Sequence, residues 1–177
     1  MKGTIAKCLE ELVVTQFGRD KWEQSLKDIG LSPSTVFWPM SDIDDAQVMG
    51  LVEAVCKNLN ITLVQAADAF GAYWVNVYSQ RMYPLYYERN ATARDFLLDM
   101  DNVHMQTTRT MEKARPPRFD YEWKDDRSLI MHYKSQRGLI DFVVGLARGV
   151  GKYYGENIEV TKLGPDKVQI VFAQGGG

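Results

Sequence analysis

Two groups of residues in this chain have the types and spacing to do chemistry. The first centres on His104, in the run Asp101-Asn102-Val103-His104-Met105-Gln106-Thr107-Thr108. Leu97, Met100, His104, Thr107 or Thr108, and Met111 recur at steps of three and four, so the imidazole lies on the inward face of a helix. An imidazole among apolar neighbours needs a hydrogen bond, a proton or a metal to satisfy its nitrogens. Periodicity leaves all three open, and a satisfied core histidine is the ordinary case. The second group is Tyr133, Ser135 and Arg137, two residues apart at the end of an alternating run. On a strand, that spacing sets two hydroxyls and a guanidinium on one face. The guanidinium can grip a carboxylate through two parallel bonds, with hydroxyls for the remaining oxygens, so the trio suits an acidic small molecule. A polar strand end facing water is the plain alternative.

The elements that must position these groups follow from the apolar periods. Ile5, Cys8, Leu9, Leu12 and Val13 mark a helix over 3–17 that stops at Gly18. Trp22 and Leu26 face inward from a second helix over 20–29, and 31–40 reads as a loop. A third helix starts at Ser41 or Asp42 and carries Val48, Leu51, Val52, Val55, Cys56 and Leu59. Thr62 caps a fourth, with Val64, Ala67, Phe70, Trp74, Val75 and Tyr78 on its stripe. Gly71 in its middle costs about 1 kcal/mol relative to alanine and marks either close packing or a bend. Met82 to Arg89 reads as a connector, and the His104 helix runs over 90–113 with a break near Asp99. Pro116-Pro117 stops it, since proline donates no backbone N–H.

After the diproline the period becomes alternating. Phe119, Tyr121 and Trp123, then Leu129, Met131 and Tyr133, form a strand pair around Asp125-Asp126. A helix follows over 139–154 through Phe142, Val143, Leu146 and Val150. A second hairpin then joins Ile158, Val160 and Leu163 to Val168, Ile170 and Phe172 across Gly164-Pro165-Asp166. The expected class is α+β: about 113 largely helical residues, then an antiparallel sheet of about four strands with one helix packed on it. Gly175-Gly176-Gly177 is read as a flexible tail.

Composition narrows the partners. With 21 basic against 23 acidic residues, the net charge of −2 gives neither a nucleic-acid footprint nor a polybasic membrane patch. No apolar run approaches the roughly 20 residues that span a bilayer, and the first residues do not form a signal-peptide core. Cys8 and Cys56 lie on helix stripes without a CxxC, which fits buried thiols of a cytosolic protein and no structural zinc.

Taken together, Met1-Lys2-Gly3-Thr4-Ile5, Asp101-Asn102-Val103-His104, Arg115-Pro116-Pro117 and Tyr133-Lys134-Ser135-Gln136-Arg137 resemble the H-NOX family of heme nitric-oxide/oxygen-binding domains. The four segments lie in order over most of the chain. The resemblance implies a single domain over 1–177, with a distal helical part over 1–62, a proximal part over 63–177 and heme b between them. It makes His104 the proximal iron ligand, and gives the two propionates to Tyr133, Ser135 and Arg137. It places Pro117 against the porphyrin as a source of distortion, and Asp45 as a support for the propionate-binding arginine. It implies a distal pocket of Ile5, Leu9, Trp74, Tyr78, Phe142 and Leu146. Members that bind oxygen carry a tyrosine on the helix after the Tyr-x-Ser-x-Arg motif; five residues on from Arg137, this chain has Phe142. The implied activity is sensing of nitric oxide, with carbon monoxide as a second ligand, by a regulatory domain that is not an enzyme. Gly71 is then a candidate hinge. The implied partner acts in trans, as a histidine kinase or a diguanylate cyclase and phosphodiesterase.

Trp74 and Tyr78 carry donors that would serve an oxygen sensor or carrier of the same fold. A peroxidase-like enzyme is disfavoured, since no histidine or carboxylate matches the pocket positions. A heme-free module that binds an acidic ligand through the Tyr133 trio is the remaining rival. His132, on the opposite strand face from Tyr133, is expected to be exposed.

Overall fold

The computed structural model describes residues 1–109 and 114–173. Met111 of the expected helix stripe and the glycine tail lie outside them. The chain divides into two compact units, Met1–Ala66 and Ala67–Gly177.

The first unit contains α1 (Gly3–Phe17), α2 (Arg19–Asp28) and α3 (Asp45–Leu59). The stripe of α1 buries Cys8, Leu9, Leu12 and Val13, and Gly18 ends the helix at φ 98°, a backbone state that glycine alone adopts readily. Trp22 and Leu26 of α2 are buried, with Trp22 edge-on to Phe37 at 6.2 Å. The third helix starts later than expected. Gly3 donates its N–H to the Ser41 carbonyl at 2.8 Å, and Asp42 bridges to Lys2, which keeps 41–43 out of a helix. The cap is Asp44, whose carboxylate accepts from the N–H groups of Ala46 and Gln47 at 2.8 and 3.3 Å. Thr62 caps α4 (Leu63–Tyr73) reciprocally with Gln65: each side chain accepts the other's backbone N–H. Val64, expected on the buried stripe, is 50% exposed.

The second unit holds the end of α4, a π-helical turn over Trp74–Tyr78, α5 (Ser79–Met82), α6 (Pro84–Glu88), α7 (Ala93–Thr108), β1 (Arg118–Trp123), β2 (Ser128–Lys134), α8 (Ile140–Tyr154), β3 (Ile158–Lys162) and β4 (Lys167–Phe172). The strands form one antiparallel sheet in the order β1-β2-β4-β3. Both expected hairpins form, and the β2–β4 pairing joins them, with Leu129 opposite Ile170 and Met131 opposite Val168. These four side chains share one buried cluster with Val143, Val144, Ala147 and Val150 of α8. The connector over 82–89 is partly helical, with Pro84 in the first turn of α6, where a missing N–H costs nothing. The break expected near Asp99 is absent. Thr92 caps α7 by accepting the Asp95 N–H, and the helix runs on to Thr108.

Of the two roles expected for Gly71, the structure supplies close packing. A Cβ there would lie 2.1 Å from the carbonyl carbon of Gly145. A Cβ on Gly145 would meet the Ala67 carbonyl oxygen at 2.2 Å, and one on Gly149 the Gly71 oxygen at 2.6 Å. Helices α4 and α8 therefore cross backbone on backbone.

Candidate functional site

The inward face of α7 forms part of a cavity in the second unit. His104 lies in its wall with Phe96, Leu97, Met100 and Phe119, and α8 contributes Leu146. The His104 Nδ1 is shielded from solvent. Its ring packs at 5.7 Å on Phe119, whose ring is 6.0 Å from that of Tyr133, its register partner in β2. The apolar stripe of α7 and the β1–β2 register thus bring the two motifs of the sequence within one aromatic ring of each other.

Asp101, one turn before His104, pins α7 to the start of β1. Its carboxylate accepts two N–H bonds from Arg118, each at 2.7 Å, and the backbone N–H of Phe119 at 2.9 Å. The Tyr121 hydroxyl accepts the Asp101 backbone N–H at 3.3 Å. The Arg118 bonds hold the Asp101 carboxyl below the usual carboxylate range, against a partial burial that pushes it up; the Phe119 N–H adds to the lowering. Thr108 donates its hydroxyl to the His104 carbonyl at 2.7 Å and Thr107 to that of Val103 at 2.9 Å, so the backbone around the imidazole is doubly bonded.

The π turn supplies another part of the wall through Trp74 and Val75. Such a turn displaces carbonyls from their usual partners, and short polar side chains answer for them here. Ser79 donates to the Trp74 carbonyl at 2.7 Å, and Gln80 to that of Val75 at 2.8 Å. Asn76 donates to the carbonyls of Ala72 and Gly149 at 3.0 and 3.2 Å. Ser79 also pairs with the Tyr87 hydroxyl at 2.6 Å, and burial pushes Tyr87 up to about 12. Nothing in the apolar spacing signals these bonds.

Among the expected pocket residues, Trp74 and Leu146 line the cavity. Phe142 packs edge-on against Phe70, centroids 5.5 Å apart, and Tyr78 stacks on Trp74 at 5.4 Å. Ile5 and Leu9 lie on α1 of the first unit. Asp45, in the same unit, accepts from the amino group of Met1 at 2.6 Å. Tyr133 is buried, but the one-face argument for its trio fails beyond it. Strand β2 ends at Lys134, and Ser135 and Arg137 belong to the turn that follows. The Ser135 hydroxyl accepts the Arg137 backbone N–H at 3.3 Å, and Gly138 at φ 64° redirects the chain. The Arg137 guanidinium donates to the carbonyl of Arg115, just ahead of the diproline. Pro117 is half-buried. His132 is half-buried rather than exposed, and its Nε2 lies 3.1 Å from the Glu122 carboxylate.

Fold and site define an α+β ligand-binding domain with one imidazole in the wall of a largely apolar cavity. A family model described as Haem-NO-binding matches residues 2–162, and the chain belongs to that family. Its fold is similar to that of a Cs H-NOX mutant carrying 4-cyano-L-phenylalanine at site 5, with a TM-score of 0.86, 27% identity, and 98% of this chain and 97% of that chain covered. An oxygen-binding H-NOX domain related to soluble guanylate cyclases, in its oxygen complex, matches with a TM-score of 0.83 at 28% identity, covering 98% and 96%. Soluble guanylate cyclase gcy-32 of Caenorhabditis elegans is 27% identical over 157 residues. That match takes in 86% of this chain and 23% of the cyclase, so the chain spans under a quarter of that relative's length. The chain is a heme-binding gas-sensor domain of the α+β H-NOX type. Among the described residues, no helix is long and apolar enough to cross a membrane.

Proposed function

We propose that this domain senses nitric oxide, with carbon monoxide as a second ligand, at a ferrous heme b held through His104. The observation that carries the reading is the His104 imidazole in a wall otherwise made of aromatic and aliphatic side chains. That donor set fits the group: neutral imidazole is a good axial ligand for heme iron, and an apolar wall suits a porphyrin face. When bound, heme supplies the iron to which a diatomic gas attaches. His104 holds the group to α7. Tyr133, Ser135 and Arg137 are assigned the propionate carboxylates, by hydroxyl and guanidinium donation. Pro117 is assigned the contact that distorts the porphyrin. Oxygen at iron gains from a nearby donor, whereas nitric oxide needs none. Leu146 in the wall offers none, and Phe142 stands where the resemblance puts a tyrosine in oxygen-binding members; both favour nitric oxide. A partner in trans, a histidine kinase or a diguanylate cyclase and phosphodiesterase in the cytoplasm, is assigned the reading of a shift in α7.

An oxygen sensor is the second reading, favoured by Trp74, a residue of the wall whose side chain carries an indole N–H. Anaerobic absorption spectra of the ferrous protein, alone and then with carbon monoxide, nitric oxide and air, test both. Spectral shifts with the first two gases and no stable new spectrum under air are expected. A stable, slowly oxidising spectrum under air overturns the nitric oxide assignment. His104→Gly is expected to lose heme or change every spectrum; unchanged heme content and spectra overturn the ligand assignment.

A further inference from the structure

We propose that Arg89 is a positioning residue for His104: it straps the outer face of α7 across two turns and stops the helix from following the histidine when its ligand bond is loaded. The inference rests on the heme reading above for the identity of that load.

Asp99, Asn102 and Gln106 are three and four residues apart on α7, so they form one stripe. At 3.6 residues per turn the centre of that stripe lies about 170° around the helix from His104. Arg89, at the end of α6, spans it. Its Nε donates to Asp99 at 2.9 Å, its Nη2 to the same oxygen, and its Nη1 to the Gln106 side-chain oxygen at 3.2 Å. The bonded residues are seven apart, about 10 Å of helix rise. The stripe is cross-linked beneath the strap: Asn102 donates to Asp99 at 2.9 Å and Gln106 to Asn102 at 3.1 Å. Asn90 adds a longer bond to Asp99 at 3.4 Å.

The base of the strap is fixed too. The Arg89 guanidinium sits 4.7 Å over the Tyr86 ring. Tyr87, two residues before Arg89, lies in the cavity wall, pairs with Ser79 and accepts the Tyr154 hydroxyl on its carbonyl at 2.8 Å. A lone ion pair at this exposure, 37% for Arg89 and 21% for Asp99, would contribute little. A planar fork that bonds two side chains and rests on an aromatic face restricts geometry, which a flexible ammonium could not do. With Arg118 holding Asp101 on another side, α7 is tied to α6 and to β1. A helix so tied resists following its own histidine while the ligand bond holds, so a pull on the imidazole would strain that bond before α7 shifts; a released helix would follow and keep it.

The test compares the native heme-loaded protein with Arg89→Ala, Arg89→Lys and Asp99→Asn. On mixing the ferrous form with nitric oxide, stopped-flow absorption reads the rate at which the histidine ligand is lost. Arg89→Ala and Asp99→Asn are expected to slow that loss by about threefold or more, the scale of one networked ion pair, with heme content unchanged. Arg89→Lys is expected to fall between them and the native protein. Rates within about twofold of native in both variants, or a faster loss, overturn the proposal. Amide exchange across 99–106 gives a second readout that needs no heme. Arg89→Ala is expected to speed it by about tenfold, and unchanged exchange overturns the strap. Native protein that takes up no hemin would instead sink the heme reading, leaving the exchange measurement to decide on the strap.

Discussion

Gly71→Ala puts two opposed effects on one residue. In an open helix this change stabilises by about 1 kcal/mol, because alanine loses less backbone freedom on folding. At Gly71 the added methyl would stand 2.1 and 2.2 Å from the Gly145 carbonyl carbon and oxygen, and 2.5 Å from the Leu146 nitrogen. All three are backbone atoms of α8, so no side chain can rotate away. Ordinary contact begins near 3.4 Å, and the helices must part by more than an ångström. Overpacking of this kind costs about 1–3 kcal/mol, and a backbone-on-backbone clash belongs at the upper end. Less the propensity gain, a net loss of about 2 kcal/mol is expected, a fall in Tm of about 4–8 °C for a chain of this size. Urea and thermal unfolding followed by circular dichroism measure it. Gly145→Ala should behave alike, and the double variant should cost less than the sum, because the first methyl already separates the helices. A Gly71→Ala protein as stable as the native one, or more stable, would refute the crossing.

Ser79→Ala is expected to destabilise by about 1–3 kcal/mol, because it removes the hydroxyl that pairs with the buried Tyr87 hydroxyl and leaves the Trp74 carbonyl only the backbone N–H of residue 79. Added to Tyr87→Phe it should cost much less than by itself, a coupling that a double-mutant cycle in urea reads out. Asp101 gives a pH dependence of known sign. Its folded pKa is depressed, so its contribution is fully present above the unfolded value of about 3.9 and is lost as pH falls through the lower folded value. Asp101→Asn should therefore lower stability near neutrality and flatten its decline in acid; parallel acid titrations of the two proteins check this.

Most of the helix faces were legible because burial follows the 3.6-residue period closely: the inward positions of α1, α2 and α7 are where spacing puts them. The hairpins were legible because alternation and turn residues are local. The site was legible in its chemistry, since an inward imidazole and a hydroxyl–guanidinium run each imply a partner. Its geometry was less so. Ser135 left the strand because its hydroxyl bonds a backbone N–H two residues on, a choice that alternation does not encode. The π turn at Trp74–Tyr78 has no periodic signature, and the side chains that satisfy it are unremarkable in sequence.

The sequence by itself determined most of the helices and both hairpins, the α+β class and the identity of the residues with chemical potential, because these depend on neighbours within a few positions. Only the tertiary structure decided the β2–β4 pairing that unites the hairpins and the backbone contact that explains Gly71. It alone put Asp101 on Arg118 and Arg89 on Asp99 and Gln106. Each of these joins elements separated by loops, and which of several possible partners is met depends on packing that no local pattern carries.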